Sequence, residues 1–122
     1  MLLQLKRIYN KAEPTDGFRI LVDRVWPRGV PKDKANLDLW LKEVGPSPAL
    51  RKWFDHDPRK FSTFKEKYLE ELENDPEKAA AYEELLDCYK QYNGKVTLIF
   101  ATKELTYNHV VILKEKLLKE VQ

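Results

Sequence analysis

The residue types best suited to binding chemistry lie together in residues 23–29, which read Asp-Arg-Val-Trp-Pro-Arg-Gly. Arg24 and Arg28 are four positions apart on a loop stiffened by proline, and two guanidinium groups so placed could hold an anion bidentately. Gly29 would let backbone N–H groups approach such a ligand closely. Trp26 offers a planar face on which a base or another flat group could stack. This segment is therefore the first candidate for a ligand-binding loop.

Two side chains are candidates for moving a proton. Asp23 opens the same segment, and His56 lies between two aspartates. A histidine in such surroundings is suited to general acid or base chemistry, and so is a carboxylate in a cleft. Both also have a structural interpretation, in which Asp23 pairs with a nearby arginine and His56 caps a helix or packs on an aromatic ring.

Lys103 and Asn108 follow a predicted strand that ends at Ala101. If that strand runs parallel to the one that ends before Asp23, both strand ends meet at one edge of the sheet, and Lys103 adds positive charge there. Asn108 or His109 would begin the last helix, whose N-terminus attracts anions. A solvated lysine and a plain helix cap are the structural alternatives.

Length and composition limit what kind of protein this is. The 122 residues carry a formal net charge of +2, which by itself does not indicate nucleic acid. We expect residues 1–122 to form a single domain that needs no metal or disulfide to fold.

The single cysteine, Cys88, lies on the apolar side of a predicted helix and is expected to be a buried, inert thiol. The sequence lacks a signal peptide and a run of about 20 apolar residues, so a cytoplasmic location without membrane association is expected. No glycine-rich nucleotide loop or metal-ligand pattern occurs, and we expect no cofactor and no metal.

The elements that must position these residues follow from apolar periodicity and helix caps. Strands are predicted at residues 3–9, 18–22 and 96–101, and helices after Ser47-Pro48, Asp57-Pro58 and Asp75-Pro76 and over residues 107–118. Residues 37–42 fit a strand or a helical stripe, with a slight preference for strand. The last strand is apolar throughout, which is typical of a strand between layers of helices on each side. The sequence thus predicts an α/β fold, a single compact domain with a small mixed or largely parallel sheet flanked by helices, in which ligands bind beyond the strand ends.

The chain resembles a known family over nearly its whole length. The run Asp16 to Gly29, the block Leu39 to Lys42 with Gly45-Pro46-Ser47, and the later blocks 50–58 and 97–103 are similar to the YeaO-like branch of domain-of-unknown-function family 488. The resemblance implies a compact α/β domain in a prokaryotic cytoplasm and implies no particular activity. The polar positions of the family blocks fall on Asp23, Arg24, Arg28, Arg51, His56, Lys103 and Asn108. Gly45 and Thr102 stand where alanine is usual, and we expect neither to disturb the site.

Three functions are compatible with these residues. The first is binding of, or action on, an anionic, phosphate-bearing small ligand, with cations holding it and Asp23 or His56 moving a proton. The second is a nucleic-acid binding module with a basic face and Trp26 or Trp53 for stacking. The third is a protein-interaction or structural domain in which Asp23 and the arginines form a salt-bridge network. The six tyrosines and three tryptophans are compatible with a homodimer interface and equally with core packing. The sequence does not decide whether the protein is an enzyme.

Overall fold

The computed structural model describes residues 3–121, so residues 1, 2 and 122 of the predicted domain lie outside the described part. Within residues 3–121 the elements are β1 (Gln4–Arg7), β2 (Phe18–Leu21), β3 (Leu39–Trp40), α1 (Pro48–Phe54), α2 (Phe61–Asn74), α3 (Pro76–Gln91), β4 (Val96–Phe100) and α4 (His109–Glu120). This is the predicted order, and the predicted α/β class is confirmed. No helix in the described part is both long and apolar enough to cross a membrane.

Helices α1 and α3 begin at the positions that their cap residues predicted. The Ser47 hydroxyl accepts the N–H of Leu50 at the start of α1, and the Asp75 carboxylate accepts two first-turn N–H groups of α3. Each helix has proline at its first position, where no N–H is needed. Asp57 differs in detail, because it caps a 3₁₀ turn, Pro58–Lys60, that leads directly into α2.

The ambiguous segment 37–42 contains a short strand. Leu39 and Trp40 pair in parallel with Ile20 and Leu21 of β2, and a 3₁₀ turn follows at Lys42–Val44. The slight preference for strand is therefore confirmed over two residues.

The sheet within residues 3–121 has the strand order β1-β4-β2-β3, and each neighbouring pair is parallel. The register pairs Leu21 of β2 with Ile99 of β4. The two strands therefore end side by side, and the residues that follow them emerge at one carboxyl edge, as ligand sites in parallel sheets require.

The two faces of the sheet are covered differently. One face packs against all four α-helices of the described chain in a cluster that includes Ile20, Val22, Leu98 and Phe100. The other face presents Leu21 and Ile99, which pack against side chains of residues 26–40. The expectation of helices on both sides of β4 therefore fails on this face. The segment between β2 and β3 supplies Trp26, Val30 and Leu37, and with Trp40 of β3 these cover the apolar surface without an α-helix.

Candidate functional site

A cavity of about 400 Å³ opens at the carboxyl edge of the sheet. Its walls come from the segments after β1, β2, β3 and β4, from α1 and α2, and from the start of α4. The lining side chains are Tyr9, Asp23, Arg24, Val25, Trp26, Pro27, Arg28, Pro46, Arg51, Phe54, His56, Phe64, Ala101, Thr102, Tyr107, Asn108 and His109.

Asp23 connects several elements at the inner end of this cavity. Its Oδ2 accepts the N–H of Ala101 at 2.9 Å, which links the ends of β2 and β4. Its backbone carbonyl accepts the indole N–H of Trp40 at 2.7 Å. Its Oδ1 lies 3.3 Å from Nε2 of His109 at the start of α4. Both carboxylate oxygens therefore already have partners within the chain.

His109 is oriented by the end of β2. Its Nε2 lies 3.1 Å from the carbonyl oxygen of Val22 as well as close to Asp23. A carbonyl oxygen can only accept, so Nε2 carries the proton that this hydrogen bond requires. The edge of the ring meets Tyr68 with 6.0 Å between ring centroids. The sequence pointed to His109 only weakly, since a histidine near a helix start carries no further signal.

Arg24 is held at one side of the cavity by residues 43–47. Its Nε donates to the Pro46 carbonyl at 3.3 Å, and a terminal nitrogen lies 3.7 Å from the Glu43 carboxylate. The same segment receives Lys78 from α3, whose Nζ donates to the carbonyls of Gly45 at 2.6 Å and Glu43 at 3.2 Å. Burial lowers the pKa of Lys78, and the nearby Arg24 guanidinium lowers that pKa further.

Arg28 and Arg51 line the cavity from two different segments, the loop of residues 23–29 and helix α1. The backbone carbonyl of Arg28 accepts the Tyr9 hydroxyl at 2.9 Å, which ties the 23–29 segment to the end of β1. Both arginine residues are exposed, and neither guanidinium hydrogen-bonds to another side chain or carbonyl in residues 3–121. These two groups therefore remain available to an anion.

Trp26 lines the cavity but is also anchored in the second core. Its indole N–H donates to the Val30 carbonyl at 2.7 Å, and its ring meets the Trp40 ring edge-on at a centroid distance of 5.2 Å. These contacts fix the course of the loop that carries Arg28.

His56 lies on the rim, in a left-handed backbone conformation with φ of 55°. The carboxylate of Asp57 is engaged by Arg59 rather than by this imidazole. The pKa of the nearby Glu104 is lowered, chiefly because its carboxylate accepts the backbone N–H groups of Thr106 and Tyr107.

The remaining predicted site residues have other surroundings. Gly29 and Lys103 are exposed and are not part of the cavity wall. Asn108 borders the cavity, but it is buried and its side chain is used locally. Its Oδ1 accepts the N–H of Val111 at 3.0 Å and its Nδ2 donates to the Glu104 carbonyl at 2.6 Å.

In the part of the chain that the structure describes, no group of three or more His, Cys, Asp or Glu side chains is arranged to hold a metal ion.

Comparison with known families identifies the family of this chain. The sequence profile of the family described as the inactive DUF488-N3 subclade matches residues 2–122. The chain belongs to this DUF488 subclade. The predicted membership of the YeaO-like branch of family 488 is thereby confirmed.

Relatives of this DUF488 chain span almost its full length. The uncharacterised protein YeaO of Escherichia coli strain K12 is 42% identical over 115 residues, covering 94% of this chain and 96% of YeaO. The uncharacterised protein Rv3073c of Mycobacterium tuberculosis is 37% identical over 117 residues, covering 94% of this chain and 92% of the relative. No solved structure was found to match.

The sequence did not predict the burial of two cationic side chains of this DUF488 chain. Arg19 and Lys78 are 5% and 1% exposed, respectively. Arg19 lies within a predicted apolar strand and Lys78 in a helix with many other charges, so neither carried a local signal of burial. Only contacts between distant segments reveal that Lys78 supports the segment that holds Arg24.

Proposed function

We propose that this protein binds an anionic small molecule in the cavity at the carboxyl edge of the sheet. Arg24, Arg28 and Arg51 hold the anion. The observation that carries the proposal is the charge of the cavity wall, which contains three arginines. Asp23 is the carboxylate among the described lining residues, and both of its oxygens are already bonded within the chain. Guanidinium groups pair with phosphate-like anions through two parallel hydrogen bonds.

The cavity also suits a ligand with a flat, apolar part. Tyr9, Phe54, Phe64 and Tyr107 contribute aromatic surface to its wall. A volume of about 400 Å³ lies within the range of small-molecule sites, roughly 300–1,000 Å³. The N-terminus of α4 adds a favourable dipole for negative charge.

Binding without turnover is the form of this function that we favour. The family description calls the subclade inactive. Asp23, a candidate for proton transfer, has both carboxylate oxygens occupied. His56 has no hydrogen-bonded carboxylate or hydroxyl partner in residues 3–121 that would activate it.

Arg28→Gln provides the most direct test. Its guanidinium has no partner within the described chain, so the variant is expected to fold normally and to lose ligand affinity by at least about tenfold, the equivalent of one charged hydrogen bond. Thermal shift and calorimetry with sulfate, pyrophosphate, nucleotides and sugar phosphates measure the effect. Arg59→Gln is the matched control, because Arg59 is 90% exposed and lies outside the cavity wall.

Equal binding by wild type, Arg28→Gln and Arg59→Gln contradicts the proposal. Binding of single- or double-stranded oligonucleotides that weakens equally in both variants would instead favour the nucleic-acid alternative, because phosphate contacts then extend over the whole basic face.

A further inference from the structure

The imidazole of His109 has one nitrogen available to a ligand. Tyr82 Oη is the buried side-chain polar atom without a hydrogen-bond partner in residues 3–121. The Nδ1 atom of His109 also has no hydrogen-bond partner in those residues. Unlike Tyr82 Oη it is not a buried atom, so it remains accessible to solvent. His109 is also one of the residues that line the cavity.

The other nitrogen is fixed as a donor. Nε2–H is directed at the Val22 carbonyl and Asp23 Oδ1. In the neutral ring Nδ1 is therefore an acceptor, and an anion oxygen at that position is repelled. Protonation converts Nδ1 into a charged donor, which an anion oxygen accepts.

Some charged groups around the ring favour this protonation and others oppose it, and a bound anion changes the balance between them. Asp23 stabilises the imidazolium. The arginines of the wall and His56 oppose it, while Tyr68 on α2 stays neutral because burial raises its pKa well above the ordinary value. Glu104, before α4, has its carboxylate engaged by two backbone N–H groups. A bound anion offsets the charge of the arginines and so removes the main opposition.

We propose that His109 is a ligand-binding residue of the cavity and that a tetrahedral anion binds together with one proton on its Nδ1. Asp23 acts as a positioning residue that fixes the ring with Nε2–H inward. This inference rests on the proposed function, since it specifies how that site recognises its anion. Because binding and protonation are linked, each strengthens the other by the same factor.

Sulfate is the probe for this coupling, because its charge stays constant over the range in which histidines titrate, about pH 5 to 8. Wild-type Kd for sulfate is expected to rise by at least about fivefold across that range, the lower end of ordinary coupling energies. Calorimetry in buffers of different ionisation enthalpy is expected to show net proton uptake on sulfate binding within this range, amounting to a fraction of one proton per sulfate.

Three variants identify the group that titrates. His109→Gln keeps an N–H for Val22 and Asp23 but cannot titrate, so its Kd is expected to be constant with pH. His56→Gln is expected to keep the pH dependence, whatever its effect on affinity. Asp23→Asn removes the negative charge beside Nε2–H, so it is expected to reduce the change of Kd with pH. This effect on binding, and not a loss of stability, is the readout of the positioning role.

The outcomes separate this inference from the proposed function. Sulfate binding whose pH dependence persists in His109→Gln overturns the role of His109 and leaves the anion site intact. Absence of sulfate binding at every pH overturns both. Nitrogen chemical shifts of the two histidines test the geometry without ligand: a neutral His109 with its proton on Nδ1 contradicts the inference.

Discussion

Single polar side chains at this cavity differ in whether the chain already uses them. Asp23, Trp26 and Asn108 bond to neighbouring segments, whereas Arg28 and Arg51 present guanidinium groups with no such partner in the described residues. The first group shapes the cavity and the second is available to a ligand. The sequence named all five, four from their place at a predicted strand or helix end and Arg51 from the family blocks, but only their contacts separate the two groups.

Lys78→Met tests how a residue outside the cavity affects it. Methionine fits the volume but leaves the carbonyls of Gly45 and Glu43 without their donor, at an expected cost of about 1–3 kcal/mol. The segment that holds Arg24 should loosen, and affinity for the anion should fall together with stability. Urea unfolding and calorimetry measure the two effects.

Lys90→Met is the control for this change, because Lys90 is exposed on the same helix. It should leave both quantities nearly unchanged. Equal behaviour of the two variants would remove the supporting role of Lys78.

At the scale of elements, α4 begins at the cavity because Asn108 caps it. The side chain accepts the Val111 N–H and also donates to the Glu104 carbonyl, so it fixes both the helix start and the preceding turn. His109 is then the first helical residue and reaches the end of β2. The capping pattern makes the helix start predictable, but the parallel register of β2 and β4 decides what that start faces.

Asn108→Ala is expected to cost about 1 kcal/mol through loss of the cap, and Asn108→Ser should recover part of that because its hydroxyl also accepts the Val111 N–H. Asp75→Ala removes a cap of α3 away from the cavity and should cost a similar amount. Thermal unfolding gives these stabilities. If Asn108 is only a cap, Asn108→Ser binds sulfate as wild type does. A large loss of affinity would give Asn108 a direct role in binding.

At the scale of the whole molecule, the two edges of the sheet carry different kinds of charge. The carboxyl edge has cations available to a ligand, whereas the amino edge has an internally paired cluster around Asp16. Asp16 is 1% exposed and accepts from Lys6 at 2.7 Å and Arg19 at 2.5 Å. Burial alone would raise the pKa of the Asp16 carboxyl, but hydrogen bonds from Lys6, the Glu13 backbone and Arg19 outweigh it and hold the pKa below 3.8.

The stability that this cluster provides should depend on pH and should decrease in acid. Because the pKa of Asp16 is lowered on folding, its contribution is complete above the ordinary value of 3.8 and is lost as the pH falls from there through the lower folded value. Asp16→Asn should cost about 3 kcal/mol at neutral pH by leaving the buried Arg19 guanidinium without a carboxylate partner. It should also lose less stability than wild type on acidification.

Urea unfolding of both proteins at neutral and acid pH checks this expectation. Asp57→Asn is the control, since the carboxylate of Asp57 is paired with an arginine that is 90% exposed. Parallel pH profiles for wild type and Asp16→Asn would place the acid sensitivity elsewhere.

The sequence by itself determined the family, the order of the elements and the edge of the sheet where the cavity lies. These follow from local causes: proline and cap residues begin helices, apolar runs form strands, and parallel strands end at one edge. Strand order, the coverage of the second face by residues 26–40, and the burial of Asp16, Arg19 and Lys78 were decided by tertiary structure. So was the difference between His109, which reaches the cavity, and Lys103, which does not contribute to its wall. Each depends on which distant segments pack together, and a burial or a hydrogen bond between such segments leaves no local pattern in the chain.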